Sequence, residues 1–485
     1  MANITIGDDP RAGGSRELLR LAAPLILSSS FFTIQITVDR LMLSRQNSEA
    51  VGAAMSAAMI YWTPLALLYF TAMYTSTFVA QYVGAGRKER VGAAVWQGIY
   101  FSLIAGLGFL LLIPLLKPLI ALTNHAPEVQ RLEVQYLFCL CFATLPFLLV
   151  QTTNAFFSGR GDTWRVLLTD GTGAIVAVIL CYAWINGHWG FPAKGIVGAG
   201  WALVCGNWAA VAVGMSMLMM PKFRKEFNTM AGWRFDPKLF RRMMRYGLPN
   251  GLQYGLEALA FTIFMILVGR MGTPQLSATS IAFTINAAAL IPMLGLGQAV
   301  SVLVGQRLGQ NRPEIAAKTA RRGVGWCLLY TAIVATVFVA FPGLLAEQFA
   351  DPDSSRWARI APLIPMLLKF VAVYCMFESV SLILSSALRG AGDTRFVSAV
   401  TLVFSWLIMV VPTLLLWRTG GLTVVWSLAT AYVTLLSLVF IWRFRQGKWK
   451  SMRVIETAPK LDDIEPAQSE DRRHEKAEYD VPVAE

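Results

Sequence analysis

Long apolar runs alternate with short polar breaks along the chain, and the runs are too long for the elements of a soluble core. They lie near 17–43, 51–82, 92–116, 131–152, 165–186 and 196–220, and again near 238–270, 275–306, 318–346, 357–388, 396–417 and 422–444. A helix needs roughly 20 mainly apolar residues to cross a bilayer, so each run predicts one spanning helix. The expected fold is an all-α integral membrane protein with twelve transmembrane helices. Several runs exceed the minimum, which predicts tilted helices or helices that extend past the bilayer.

Composition agrees with lipid as the solvent. Of 485 residues, 55% are hydrophobic and 15% charged, against roughly 25% charged in a soluble domain. Mean hydropathy is +0.54. A net charge of +13 would point a soluble protein toward nucleic acid. Here the cations stand in the short breaks and read as a topology signal, so no nucleic-acid partner is expected. Counted over alternate loops, Lys and Arg number twenty on one side and nine on the other. The richer side is assigned to the cytoplasm. The expectation is a multi-pass protein of the cell (inner) membrane with both termini cytoplasmic. Residues 1–16 are polar and the first run is long enough to remain as a helix, so no cleavable signal peptide is expected. Six cysteines, all inside apolar runs, show neither zinc nor disulfide spacing.

An internal repeat organises the chain. Pro24 and Pro249 are 225 residues apart, and the same offset takes Gly84 to Gly309, Arg87 to Arg312 and Gly98 to Gly323. With an offset of 231, Ser158–Gly159–Arg160–Gly161–Asp162–Thr163 matches Arg389–Gly390–Ala391–Gly392–Asp393–Thr394. This predicts a six-helix bundle over 17–220 and a pseudo-symmetric second bundle over 238–446. A cytoplasmic N-terminal segment (1–16), a cytoplasmic linker (221–237) and a disordered cytoplasmic tail (447–485) complete the organisation. With six spans each, the halves share one orientation. Two such bundles facing a cavity suit alternating access by rocking, whereas a channel or scaffold would leave the duplication as gene history alone.

Carboxylates within apolar runs are costly, at least ~2.5–3.5 kcal/mol each at mid-bilayer, and usually face a polar cavity. Glu257 follows Pro249 by eight residues and precedes Arg270 by thirteen, ~12 Å and ~20 Å along a helix. Glu378 lies ten residues before Leu388, or ~15 Å, with Tyr374 one turn away on the same face. Two carboxylates and a phenol suit Na⁺ through oxygen ligands; they suit a shared proton equally. No other metal site is expected. Lys369 reads as snorkelling to an interface and Asp170 as a helix-end acid. Gln35, Thr37 and Asn154 either line a cavity or bond between helices. Pro24 and Pro249 favour bends, as gating elements or as packing kinks. His125, His188 and His474 fall in loops or the tail without a nucleophile or metal partner, so no enzyme and no cofactor is expected.

The order and spacing of several segments carry a family resemblance. They are Leu21–Ala22–Ala23–Pro24, Val38–Asp39, Gln81–Tyr82–Val83–Gly84–Ala85–Gly86–Arg87, Gly247–Leu248–Pro249 with Glu257, Val304–Gly305–Gln306–Arg307–Leu308–Gly309, and Leu388–Arg389–Gly390–Ala391–Gly392–Asp393. Over roughly residues 16–445 the chain resembles the MATE (multidrug and toxin extrusion) family of cation-coupled efflux antiporters. The resemblance to its NorM-like branch implies that Glu257, Tyr374 and Glu378 form the cation site of the C-terminal half, although that branch often has Asp where Glu378 stands. It also implies a proton or substrate site at Asp39 in the N-terminal half. The alternative for Asp39 is an interfacial acid paired with Arg40 or Arg45.

The resulting expectation is a monomeric secondary antiporter that exports small organic cations or amphiphilic drugs in exchange for Na⁺ or H⁺. The rival is a flippase for lipid-linked sugars. That activity calls for a strongly basic cavity, and the first-half spans hold few deep basic residues.

Overall fold

The computed structural model describes residues 13–45, 48–121, 123, 125–350 and 354–456. Among them twelve helices are long and apolar enough to cross a membrane. We label them α1 (Ser15–Ser44), α2 (Glu49–Gly84), α3 (Glu89–Ala121), α4 (Pro127–Gly159), α5 (Thr163–Asn186), α6 (Gly195–Leu218), α7 (Pro237–Met271), α8 (Thr273–Gly309), α9 (Pro313–Ala340), α10 (Leu363–Ala391), α11 (Thr394–Leu416) and α12 (Gly421–Gln446). Large apolar side chains such as Leu111, Ile333, Leu407 and Leu415 point outward from these helices. In a bilayer they meet acyl chains, so their exposure carries no hydrophobic penalty.

Two expected runs are shorter as helices than their hydropathy. The run 318–346 ends as α9 at Ala340, and Pro342 starts a separate short helix, Pro342–Glu347. The run from 357 divides into Ser354–Ile360 and α10, with Pro362 at the junction. Proline lacks the N–H that would continue the preceding helix, and it disfavours helical backbone in the residue before it.

The two six-helix bundles repeat one packing scheme. In the first, α1 packs on α5, α2 on α4, and α6 on both α4 and α5; in the second, α7 packs on α11, α8 on α10, and α12 on both α10 and α11. Across the bundles α1 meets α8, α2 meets α7, and the last turns of α2 meet α8. Small residues permit these crossings. A Cβ on Gly84 would collide with the Gln306 carbonyl, and one on Gly309 with the Gln81 carbonyl. Gly251 lies equally close to the Leu67 carbonyl of α2.

The connections between α2 and α3, α4 and α5, α6 and α7, α8 and α9, and α10 and α11 share one end of the bundles, here called the basic end. The longest of them is folded. Its short helix Pro221–Phe227 buries Phe223 and Phe227. Their rings and that of Phe156 enclose the Arg160 guanidinium at 4.3, 4.3 and 4.6 Å. Burial pushes the Arg160 pKa down to about 10, which leaves the side chain cationic at neutral pH. Asp236 then caps α7, accepting from the Lys238 and Leu239 amides at 3.1 and 3.0 Å.

The expectation of disorder from residue 447 needs correction. Gly447 turns the chain in the left-handed region, and Lys448–Ser451 forms a 3₁₀ turn. Trp449 is buried; its Nε1–H donates to the Phe444 carbonyl at 2.9 Å, and its ring stacks on Phe444. The Val454 amide donates to Gln81 Oε1 at 2.8 Å. Isolated Trp and Val in a polar stretch lack periodicity, so their anchoring is invisible in the sequence pattern. Residues 1–12 of the expected N-terminal segment, and 457–485 of the expected tail, lie outside the described residues.

Candidate functional site

In the second bundle, α7, α10 and α12 converge around two carboxylates. Glu257 on α7 accepts a hydrogen bond from the Tyr432 hydroxyl of α12 at 2.9 Å. Glu378 on α10 accepts one from Tyr374, one turn earlier, at 3.1 Å. The carboxylates lie within electrostatic range of each other. Glu378 Oε2 is buried and without a hydrogen-bond partner, as is the side-chain oxygen of Gln253, one turn before Glu257. Arg389, near the end of α10, completes the cluster. Its guanidinium donates to the Tyr254 hydroxyl, lies 4.7 Å from that ring, and acts electrostatically on Glu257.

The three residues expected from the sequence are therefore neighbours, but each carboxylate has its own phenol. Tyr432 and Arg389 escaped the sequence reading. Tyr432 is one tyrosine in an apolar run with nothing in its spacing to mark it. Arg389 lies one residue past the expected run 357–388, yet α10 continues to Ala391 and turns it inward.

The donor set is made of oxygens: two carboxylates, two phenols and a free amide oxygen. Such a set fits a hard monovalent cation or a proton and offers nothing to a soft metal. With both carboxylates ionised, the guanidinium would balance one of the two charges and a bound cation or proton the other.

Asp39 lies apart from this cluster, in the first bundle. It is 8% exposed and lies near the Cys181 thiol of α5 and Tyr136 of α4. Its Oδ1 has no partner, and among the described residues no ion pair joins it to Arg40 or Arg45. The reading of Asp170 as a helix-end acid is not what the structure holds. It faces α1 and α4, accepting from Ser28 Oγ and, at 2.7 Å, from Asn154 Nδ2. Asn154 thus bonds between helices, while Thr37 bonds back to Thr33 of its own helix at 2.9 Å. Lys369 is exposed on α10. Pro24 and Pro249 both sit inside continuous helices.

Twelve apolar helices in two repeated bundles, with ionisable side chains gathered between helices, define a polytopic membrane transporter. The MatE family model matches residues 24–183 and 249–415, once in each bundle, and the chain belongs to that family. It is 26% identical over 397 residues to the probable multidrug resistance protein NorM of Shewanella oneidensis, covering 81% of this chain and 84% of the relative. Against the protein of the same description from Pseudomonas aeruginosa, identity is 27% over 443 residues, 88% and 89% of the two chains. The fold superimposes on an outward-facing multidrug resistance MATE family transporter of the MOP superfamily with TM-score 0.82, at 19% identity over 89% of this chain and 96% of the other. It superimposes on a MATE crystal structure in the bent conformation with TM-score 0.81, at 19% identity over 90% and 96%.

Proposed function

We propose that the protein is a multidrug efflux antiporter that exports cationic or amphiphilic organic compounds in exchange for Na⁺ or H⁺. The observation that carries this reading is the pair Glu257 and Glu378, held by separate phenols between membrane helices. A structural role alone does not require two costly carboxylates within electrostatic range of each other. The relatives described as multidrug resistance proteins support the substrate class.

In this reading the coupling ion binds among Glu257, Glu378, Tyr374 and Tyr432. With Arg389 compensating one carboxylate, one monovalent ion per cycle neutralises the site. Asp39 serves as a separate proton or substrate site in the first bundle. The bundles rock about the linker 221–237 to expose a central cavity to alternate sides. The chain works as a monomer in the cell membrane with its basic end in the cytoplasm, and it performs transport without catalysis.

The test is ethidium efflux from cells expressing the protein, in Na⁺ and in K⁺ buffer at fixed pH, for wild type and Glu257→Gln. Na⁺-stimulated efflux that the variant loses supports Na⁺ antiport. Efflux indifferent to Na⁺ and abolished by a protonophore assigns H⁺. Unchanged efflux by the variant at equal membrane abundance would sink the coupling role of Glu257. No efflux in any condition would favour the lipid-linked sugar flippase.

A further inference from the structure

A cavity of about 800 Å³ opens at the basic end, lined by Lys238, Arg241, Arg242, Arg245 and Arg395. The first four recur at helical spacing on one face of the opening turns of α7. Arg395 comes from the first turn of α11. Ser398 Oγ donates to the Pro249 carbonyl at 3.0 Å and holds the two helices together beside the cavity.

Charge compensation is missing for four of these five cations. Lys238, Arg241, Arg245 and Arg395 are exposed, and among the described residues no carboxylate pairs with any of the four. Other cations at this end do have acids. Lys88 meets Glu226 at 2.8 Å, Arg90 meets Asp236 at 3.3 Å, and Lys450 meets Glu314 at 2.8 Å. A topology signal accounts for an excess of cations on one side of a membrane. It does not account for four unpaired cations from two helices converging on one cavity, where they repel one another and focus a positive potential. Convergent guanidinium groups suit phosphate oxygens.

The apolar surroundings distinguish a lipid from a soluble phosphate. Leu248 lines the same cavity, and Leu252 follows one turn deeper; both are exposed large apolar side chains. With Arg241 and Arg245 they form one stripe down α7, charged at the membrane surface and apolar below it. We propose that this cavity binds the phosphate headgroup of an anionic phospholipid, whose acyl chain lies along Leu248 and Leu252. The lipid would brace α7 against α11 on the helix that also carries Glu257. This assignment is independent of which ion or drug the protein moves.

The experiment is non-denaturing mass spectrometry of the purified full-length protein with added cardiolipin, phosphatidylglycerol or phosphatidylcholine. The wild type should retain both anionic lipids over phosphatidylcholine. Each cation removed should weaken retention about fivefold, so the triple variant Arg241→Gln, Arg245→Gln, Arg395→Gln should lose the preference. Lys450→Gln, a cation of the same end that already has an acid partner, should retain it. Where the triple variant does not elute as a folded protein, Arg395→Gln alone carries the test, with a loss of about fivefold. A wild type without preference for anionic lipid, or a folded variant with wild-type retention, overturns the proposal. Thermal stabilisation by inorganic pyrophosphate, without retained anionic lipid, would assign the cavity to a soluble phosphate compound and also overturn it.

Discussion

Gln81 and Gln306, related by the 225-residue repeat, make the same bond in opposite directions. Gln81 Nε2 reaches from the first bundle to the Gly390 carbonyl of the second at 3.0 Å, and Gln306 Nε2 reaches back to the Gly159 carbonyl at 2.8 Å. The two acceptors are themselves equivalent glycines, in the segments related by the offset of 231. The Val454 amide occupies the remaining side-chain oxygen of Gln81. The basic end is thus closed by a reciprocal clasp.

Opening that end must break both bonds, so removing them should favour the open arrangement. Each bond is worth about 1 kcal/mol net, and the pair together about thirtyfold in an opening equilibrium. In the double variant Gln81→Ala, Gln306→Ala, hydrogen–deuterium exchange should rise by that factor in peptides spanning 300–309 and 384–394. Peptides spanning 176–186 and 195–205, at the opposite ends of α5 and α6 from the clasp, should be unchanged. Wild-type exchange at both clasp segments would remove the glutamines from the closure.

The clasp depends on close backbone approach beneath it. Gly84 has the Gln306 carbonyl where its Cβ would stand, so Gly84→Ala forces the α2–α8 crossing apart. Overpacking of this kind costs roughly 1–3 kcal/mol. Gly108, also helical, has open space at its Cβ position, and Gly108→Ala should be neutral or slightly stabilising. Thermal unfolding of both variants in detergent checks the contrast. Equal melting temperatures would mean that the crossing yields at no cost.

At the carboxylates, the structure separates the two phenols. Tyr432→Phe removes the donor to Glu257, and Tyr374→Phe the donor to Glu378. A hydrogen bond to an ionised group is worth about 1.5–3 kcal/mol, so each variant should shift the ion concentration for half-maximal efflux roughly tenfold or more. Efflux should be lost in Glu257→Gln, so the comparison there is read as ion-dependent thermal stabilisation of the purified protein, in which the Tyr432→Phe shift should vanish because the two residues act as one unit. Persistence of the shift in that background would place Tyr432 elsewhere in the cycle.

Hydropathy carried most of the fold. Runs of Leu, Ile, Val and Phe longer than ~20 residues have one stable solution in a bilayer, and repeated segments such as those at Gly84 and Gly309 show the duplication. The intramembrane acids were legible for the same reason, since Glu257 and Glu378 stand out against apolar neighbours. Residues that look ordinary in sequence were not legible. Tyr432 resembles any aromatic in a span, Arg389 any cation beside a glycine turn, and Trp449 any residue of a polar tail. Their roles arise from which helices pack together, and one helix's periodicity cannot report its partners. Asp170 shows the same limit, because seven residues from a helix end is also deep enough to face α1 and α4.

Asp393 offers a final test, of what holds the second bundle at its basic end. Its carboxylate opens α11, is 6% exposed, and accepts from Arg443 Nε of α12 at 2.7 Å; the Arg443 guanidinium also lies 4.4 Å from the Phe396 ring. Taking two charges out of water is costly, and the attraction between them roughly repays that cost. Removing one partner leaves the cost unrepaid. Arg443→Met should therefore destabilise the protein by about 3–5 kcal/mol, seen as a lower melting temperature and lower membrane abundance. Arg443→Met with Asp393→Asn removes the orphaned charge and should recover most of the loss. The order of the three proteins is the informative result. A double variant no more stable than Arg443→Met would show that the arginine acts through its packing on Phe396 and not through the carboxylate.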